Sequence, residues 1–482
     1  MPPTVYISDF STEILLEIFR YLAVVDPNDE ETAETASPLV LGCLLFVCQR
    51  WKAIVDKHCL GRFLIATPGF LVQDRGEGLP AWSRQFDVWC KINDERPELD
   101  IVSFYLCNSF ASSWKTLNVD HARIFTRALK KCKTARLVVD LTEAELNKDV
   151  FAETTLQGTP LRDFSWTSQH MGIRHILPEV YQFPWLTLWQ GLPWQQLTHV
   201  DLNCPLSLWD AHHVLAHGTN LTNARFATLK SAKNSDQDGL PLFHQASTPL
   251  LRSLTIHSQL NLHVLFDNLK LPKLAYFSLS VVHPHSHLAL VVQDPRPNLE
   301  LLNVPWEQIE ELDIRYESGH KCDVASILSA CRRLRRLSLA GNLTIRTVTN
   351  FVRCLDSVTF GAGILWHEPS MILKETAIKK LQITSHNQLQ CFLCFKAVDE
   401  LSITEPIDLK FLLATLRKVP SLSVGNFQVR SASLQVESDP ALAPNLRRLD
   451  VTTSDGPTQL LSATLKSRIH TAVPTCTISV HG

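Results

Sequence analysis

From residue 197 to residue 451 the chain keeps returning to one pattern: an apolar residue, two free positions, a second apolar residue, one free position and a third apolar residue. It runs LTHVDL (197), LTNARF (221), LRSLTI (251), LAYFSL (274), LELLNV (299), IEELDI (309), LRRLSL (334), LDSVTF (355), IKKLQI (378), VDELSI (398), VPSLSV (419) and LRRLDV (446). Successive starts lie 20 to 30 residues apart, apart from one interval of 10 between 299 and 309. No other feature constrains the fold as much, because each unit is one supersecondary piece that cannot bury its own apolar side. Neighbouring units must stack. The last two apolar positions share one face of a strand, and the residue between them takes the other face. Between such strands, SLWDAHHVLAHGTN from Ser207 and DVASILSACRRL from Asp323 read as helices, the first with Ser207 and Asp210 spaced as a capping box. The expectation is one parallel sheet with helices outside, in which the segments starting at 251, 274, 309, 334, 378, 398 and 446 lie side by side in chain order. Asp201, Thr255, Ser278, Asp313, Ser338, Gln382, Ser402 and Asp450 then share the face away from the core, with Arg315 just beyond one strand.

The pattern resembles leucine-rich repeats, loosely in its consensus, across roughly residues 120 to 455. That resemblance implies an α/β solenoid over 121–482, with one curved parallel sheet, outer helices, and a concave face that carries the polar residues just named and takes a partner. Residues 61–120, with Gly69, Gly76 and Gly78, read as a linker or N-terminal cap. A second repetition is more particular. LPWQQLTHVDL from Leu192 and VPWEQIEELDI from Val304 share Pro-Trp-x-Gln before a strand, their prolines 112 residues apart. Proline sets a turn and tryptophan supplies a bulky plug, so each is expected as a packed corner.

The chain opens on a different pattern. In STEILLEIFRYL, residues 11–22, Ile14, Leu15, Ile18, Phe19, Tyr21 and Leu22 span about 160° of a helical wheel, and Leu16 widens the arc to about 220°. A surface helix needs a stripe only somewhat wider than about 100°, so more than one neighbour must cover this one. Ser11 is placed to cap it. The acidic stretch AVVDPNDEETAETASP follows, then PLVLGCLLFVCQRWKAIVDKHC, whose Leu44, Val47, Cys48, Trp51, Ile54 and Val55 recur at spacings of three and four. Glu13-Ile14-Leu15, Ile18-Phe19, Tyr21-Leu22 and Val47-Cys48-x-x-Trp51 resemble the F-box, a short all-helical module that docks on the adaptor Skp1. Phe10-Ser11 stands where that family usually has Leu-Pro. The whole chain is similar to fungal F-box proteins with degenerate leucine-rich repeats. The resemblance implies that residues 6–60 bind Skp1 through Phe10, Ile14, Leu15, Ile18, Phe19, Leu22, Leu44, Val47, Cys48, Trp51 and Ile54. It also implies a non-catalytic substrate receptor of an SCF-type (Skp1, cullin, F-box) ubiquitin ligase, holding a client protein on the repeats. The alternatives are a repeat scaffold, free or bound to Skp1, that recruits no cullin, and a hydrolase with a disguised site.

Other classes are excluded by what is missing. With 46 basic against 48 acidic residues the net charge is −2, so no global field draws nucleic acid or an anionic membrane. No run reaches the ~18 apolar residues of a membrane-spanning helix, and no secretory signal opens the chain, so a cytoplasmic or nuclear location is expected. The 13 cysteines are scattered and sit mostly in apolar runs, as reduced buried thiols do. HPHSH (His283, His285, His287) and CFLC (Cys391, Cys394) lack companions at metal-ligand spacing and read as a loop and as helix thiols, so no metal or cofactor is expected. CRRLRRLSL puts Arg332, Arg333, Arg335 and Arg336 on a strand flank, where an acidic partner is the functional reading. Neither a P-loop nor a hydrolase, metalloprotease or kinase signature is present, and no residue is nominated as catalytic.

Overall fold

The computed structural model describes residues 11, 12, 14, 15, 51, 62–67, 99–107, 132–140, 160–167, 192–229, 244–258, 262–282, 299, 302–317, 321–346, 348, 351–366, 376–384, 397–419, 421–430, 444–453, 463, 466, 467, 469–471 and 473–481. The fold is mixed α/β, dominated by parallel sheet, with few helices among the described residues. The chain divides into two compact units, Met1–Pro205 with His213–Ala227 and Leu206–His212 with Thr228–Gly482.

The first unit carries β1 (Arg62–Thr67), β2 (Leu99–Cys107), β3 (Cys132–Asp140), β4 (Leu161–Thr167), β5 (His199–Leu206) and β6 (Asn223–Leu229), in chain order across the sheet. The pairings from β1 through β5 are parallel. β1 and β2 both lie in the segment read from sequence as linker or cap. Before β5 the chain makes the first Pro-Trp corner, a single 3-10 turn over Trp194–Gln196 with Trp194 buried. The helix α1 (Leu208–His217), whose first turns Leu208–His212 are assigned to the second unit, starts on the expected capping box: Asp210 N donates to Ser207 Oγ at 3.1 Å, and Ser207 N donates to Asp210 Oδ2 at 2.9 Å. Two of the donors orphaned at a helix start are thereby satisfied.

The second unit carries β7 (Ala246–Ser247), β8 (Ser253–Ser258), β9 (Leu269–Lys270), β10 (Tyr276–Val282), β11 (Glu311–Glu317), β12 (Cys322–Asp323), β13 (Arg336–Gly341), β14 (Leu343–Ile345), β15 (Cys354–Phe360), β16 (Leu365–Trp366), β17 (Ala377–Ile383), β18 (Ala397–Asp408), β19 (Val424–Arg430), β20 (Arg448–Thr453) and β21 (Thr477–His481). Its helices are α2 (His263–Asp267), α3 (Ala325–Ala330) and α4 (Leu409–Lys418). The main strands run β8-β10-β11-β13-β15-β17-β18-β19-β20-β21, every pair parallel and in chain order. The seven segments expected side by side are side by side, with β15 and β19 taking their places between them.

Register explains the spacing of the pattern. Ile256, Leu279, Ile314, Leu339, Phe360, Ile383, Ile403, Phe427 and Val451 align on successive strands, and all are buried. A parallel stripe runs through Leu254, Phe277, Leu312, Leu337, Val358, Leu381 and Leu401. Each such side chain contributes about 1.5–3 kcal/mol of apolar burial.

Two sequence expectations are corrected. The described residues of LELLNV at 299 form no strand. Its buried Leu302 and Val304 lead instead into the second Pro-Trp corner, a 3-10 turn over Trp306–Gln308. The short interval to 309 had no room for a second strand. VPSLSV at 419 was read three residues early, because β19 meets its neighbours with Gly425 and Phe427 at the two apolar rows. A Cβ on Gly425 would lie 2.6 Å from the Phe427 ring, so that ring occupies the space of the absent side chain.

Among the described residues not every connection is helical. β12, β14 and β16 instead build a second, three-stranded parallel sheet, and β7 pairs with β9. The chain corners sharply between β13 and β14, where Gly341 has φ +86° and Gly363 on the next rung has φ +88°. A Cβ on Gly341 would stand 2.3 Å from the Tyr316 carbonyl oxygen.

Candidate partner-binding face

The residues between the apolar stripes turn to the opposite face of the sheet. In the second unit Thr255, Ser278, Asp313, Ser338, Thr359, Gln382, Ser402, Asn426, Asp450 and Ser479 stand opposite one another, strand after strand, in one unbroken row. All the expected face residues of this unit are in it. Thr359, Asn426 and Ser479 were missed. Thr359 sits in a pattern already recognised (LDSVTF), Asn426 was hidden by Gly425, and the alternation Ile478-x-Val480 was the available signal for Ser479. Asp201 belongs to the first unit, opposite Ser165, with Arg225 at 3.6 Å.

Small side chains dominate this row, and the charged ones are held. Asp313 Oδ2 accepts from Ser278 Oγ at 3.1 Å. Its Oδ1 is buried with no hydrogen bond among the described residues, and Arg315 Nε lies 3.9 Å away, an ion contact too long to be a hydrogen bond. Asp450 is arranged alike: Oδ2 meets Arg448 Nε at 2.8 Å, while Oδ1 is buried without a hydrogen bond. Buried acceptors without donors are rare in native proteins and are costly to leave so. Here they belong to side chains on the outward-facing row, although the oxygens themselves are covered. Arg315 is 61% exposed and stands opposite Ser280 and Ala340.

Along the start of the strands the face is strongly ionic. Arg336 meets Glu311 at 3.1 Å and Lys380 meets Glu400 at 3.2 Å. Asp356 is shared by two cations, Lys379 Nζ at 2.5 Å and Arg335 Nη2 at 2.8 Å. The hydrogen bond from Lys379 above all, with that from Arg335, holds the Asp356 carboxyl below its usual range, and the same bond raises the Lys379 amine.

The N-terminal candidates are placed only in part. Leu15 and Trp51 are buried and Ile14 is 49% exposed. Leu15 N donates to Ser11 O at 3.1 Å and Ile14 N reaches Ser11 Oγ at 3.4 Å, as in a capped first helical turn. Phe10, Ile18, Phe19, Leu22, Leu44, Val47, Cys48 and Ile54 lie outside the described residues, as do the HPHSH histidines and the CFLC cysteines.

A hydroxyl, an imidazole and a carboxylate do converge in the first unit, but not as a catalytic relay. Thr198 Oγ1 and Asp163 Oδ1 both lie 2.9 Å from His199 Nδ1. A nucleophile and an orienting carboxylate would need opposite ring nitrogens. Among the described residues no group of three or more His, Cys, Asp or Glu side chains could hold a metal ion, and no helix is long and apolar enough to cross a membrane. The Cys331 thiol is buried and pushed up to about 12 by that burial, which makes it unreactive near neutrality.

The fold and this face together define a mixed α/β protein with a large parallel sheet that displays an in-register polar row. Neither the protein-family models nor the curated proteins compared with this chain match it.

Proposed function

We propose that this chain is a non-catalytic substrate receptor: an F-box protein whose residues 6–60 bind a Skp1-like adaptor and, through it, a cullin. The parallel rungs serve as a leucine-rich-repeat solenoid that presents a client to the ubiquitin-transfer machinery. Such a receptor breaks no bond itself and works by raising the local concentration of client lysines. The observation that supports a client surface is the in-register polar row, continuous over ten strands. The adaptor half rests on the opening motifs, in keeping with the exposed Ile14 beside buried Leu15.

Ile18→Asp tests the adaptor half. It buries an unpaired carboxylate at the proposed interface and is expected to abolish co-purification of Skp1, leaving the circular dichroism of the chain unchanged. Undiminished Skp1 recovery would remove the F-box reading. Recovery of Skp1 without a cullin from wild type would leave a scaffold instead. For the client half, Asp313→Asn combined with Arg315→Glu is expected to lower client capture while Skp1 recovery and Tm stay near wild type.

A further inference from the structure

The strand-start edge of β13, β15 and β17 is more cationic than its own acids can balance. Arg335, Arg336, Lys379 and Lys380 project from β13, β17 and the residues leading into them, and Arg332, Arg333 and Arg353 are exposed in the adjoining turns. The last three take part in no ion pair among the described residues, and Asp356 alone is shared by two of the cations. We infer that this edge docks a carboxylate-rich segment of a partner protein, with Arg336 and Lys380 as its two anchoring cations. The inference rests on the reading of the polar face as a partner surface and does not need the adaptor.

Geometry adds a spacing. Arg336, Ser357 and Lys380 stand in register on three neighbouring strands. Adjacent strands lie about 4.8 Å apart, so the two cations start about 9.6 Å apart, with only a serine between them. A peptide laid across the strands as a polyproline II helix advances about 3.1 Å per residue with about three residues per turn, so carboxylates three residues apart point the same way about 9.3 Å apart and match that distance. The acids already present, Glu311 on Arg336 and Glu400 on Lys380, form exposed pairs, which are weak and exchange readily for an incoming carboxylate. They also disfavour a nucleic acid, whose unbroken phosphate chain would run over Glu311, Asp356 and Glu400 in turn.

Fluorescence anisotropy with the 482-residue chain tests this, using a labelled dodecapeptide carrying Glu-x-x-Glu. Saturable binding that weakens between about 50 and about 300 mM salt is expected. Arg336→Glu with Lys380→Glu is expected to weaken it about tenfold or more, whereas Arg336→Lys with Lys380→Arg stays within about twofold. Arg346→Glu, which alters a cation paired with Asp323 beside the second sheet, is expected to stay within about twofold as well. Equal binding of the Gln-x-x-Gln peptide would overturn the inference. So would loss of equal size in Arg346→Glu, or no saturable binding at millimolar peptide. Tighter binding of a single-stranded oligonucleotide, abolished by the same double variant, would overturn it in favour of nucleic acid. If the acidic peptide fails while Asp313→Asn with Arg315→Glu still lowers client capture, the inference falls and the client surface stands. If neither shows an effect, both fall.

Discussion

At the scale of single residues, the positions that decide the fold are those where the pattern breaks. Gly341 is one. With φ +86° it occupies left-handed backbone, which costs an L side chain about 1–3 kcal/mol even before any clash. Its absent Cβ would also meet the backbone carbonyl of Tyr316, which cannot swing aside as a side chain could. Gly341→Ala is therefore expected to destabilise by at least about 2 kcal/mol, read from the denaturant midpoint at unchanged slope. Asp356 makes a separate prediction in pH. Its folded carboxyl is held below the ordinary value of about 3.9, so its contribution is present above that value and is lost as pH falls through the folded one. Lys379 is shifted upward, so its share is present below about 10.5 and is lost as pH rises past the folded value. The stability difference between wild type and Asp356→Asn is expected to hold steady from about pH 5 to about pH 9 and to shrink below about pH 4. A difference that stayed constant down to pH 2 would show that the triad does not contribute.

At the scale of elements, the strands read from the sequence are ones whose two apolar positions hold a branched or aromatic side chain, because alternation is the direct imprint of a two-faced sheet; β21, with Ile478 and Val480, shares that feature and was missed. β8, β10, β11, β13, β17, β18 and β20 all meet that condition. β19 does not, since Gly425 takes one apolar row and a neighbouring ring fills its place. The second sheet of β12, β14 and β16 was invisible for another reason: strands of two or three residues are too short to show a period. The capping box at Ser207 and Asp210 was readable because its bonds are local, three residues apart. The polar row was readable in type, as small outward residues. The orphaned Asp313 and Asp450 oxygens were not, since they depend on which donors arrive from adjacent strands. The clearest test of an element is Phe360, fully buried in the long stripe between Leu339 and Ile383. Phe360→Ala is expected to cost about 3–5 kcal/mol in thermal or chemical unfolding.

At the scale of the whole molecule, order across the sheet repeats order along the chain, so each rung of the second unit depends on the rungs before and after it. The Phe360→Ala lesion is thus expected to stay local: hydrogen exchange should quicken in β13, β15 and β17 and remain at the wild-type rate in β20 and β21. Uniform loss of protection across all of them would mean one cooperative block instead. The two Pro-Trp corners carry this arrangement further. Pro193 at φ −82°, ψ 63° and Pro305 at φ −76°, ψ 69° open turns that close with the same three backbone bonds, Trp194 to Leu192, Gln196 to Pro193 and Leu197 to Trp194 in one, and Trp306 to Val304, Gln308 to Pro305 and Ile309 to Trp306 in the other. Shared letters and shared bonds at 112 residues' remove are one local solution to a corner, used twice. A fold whose rungs answer only to their neighbours admits a whole rung, corner included, being added or removed without loss of register elsewhere.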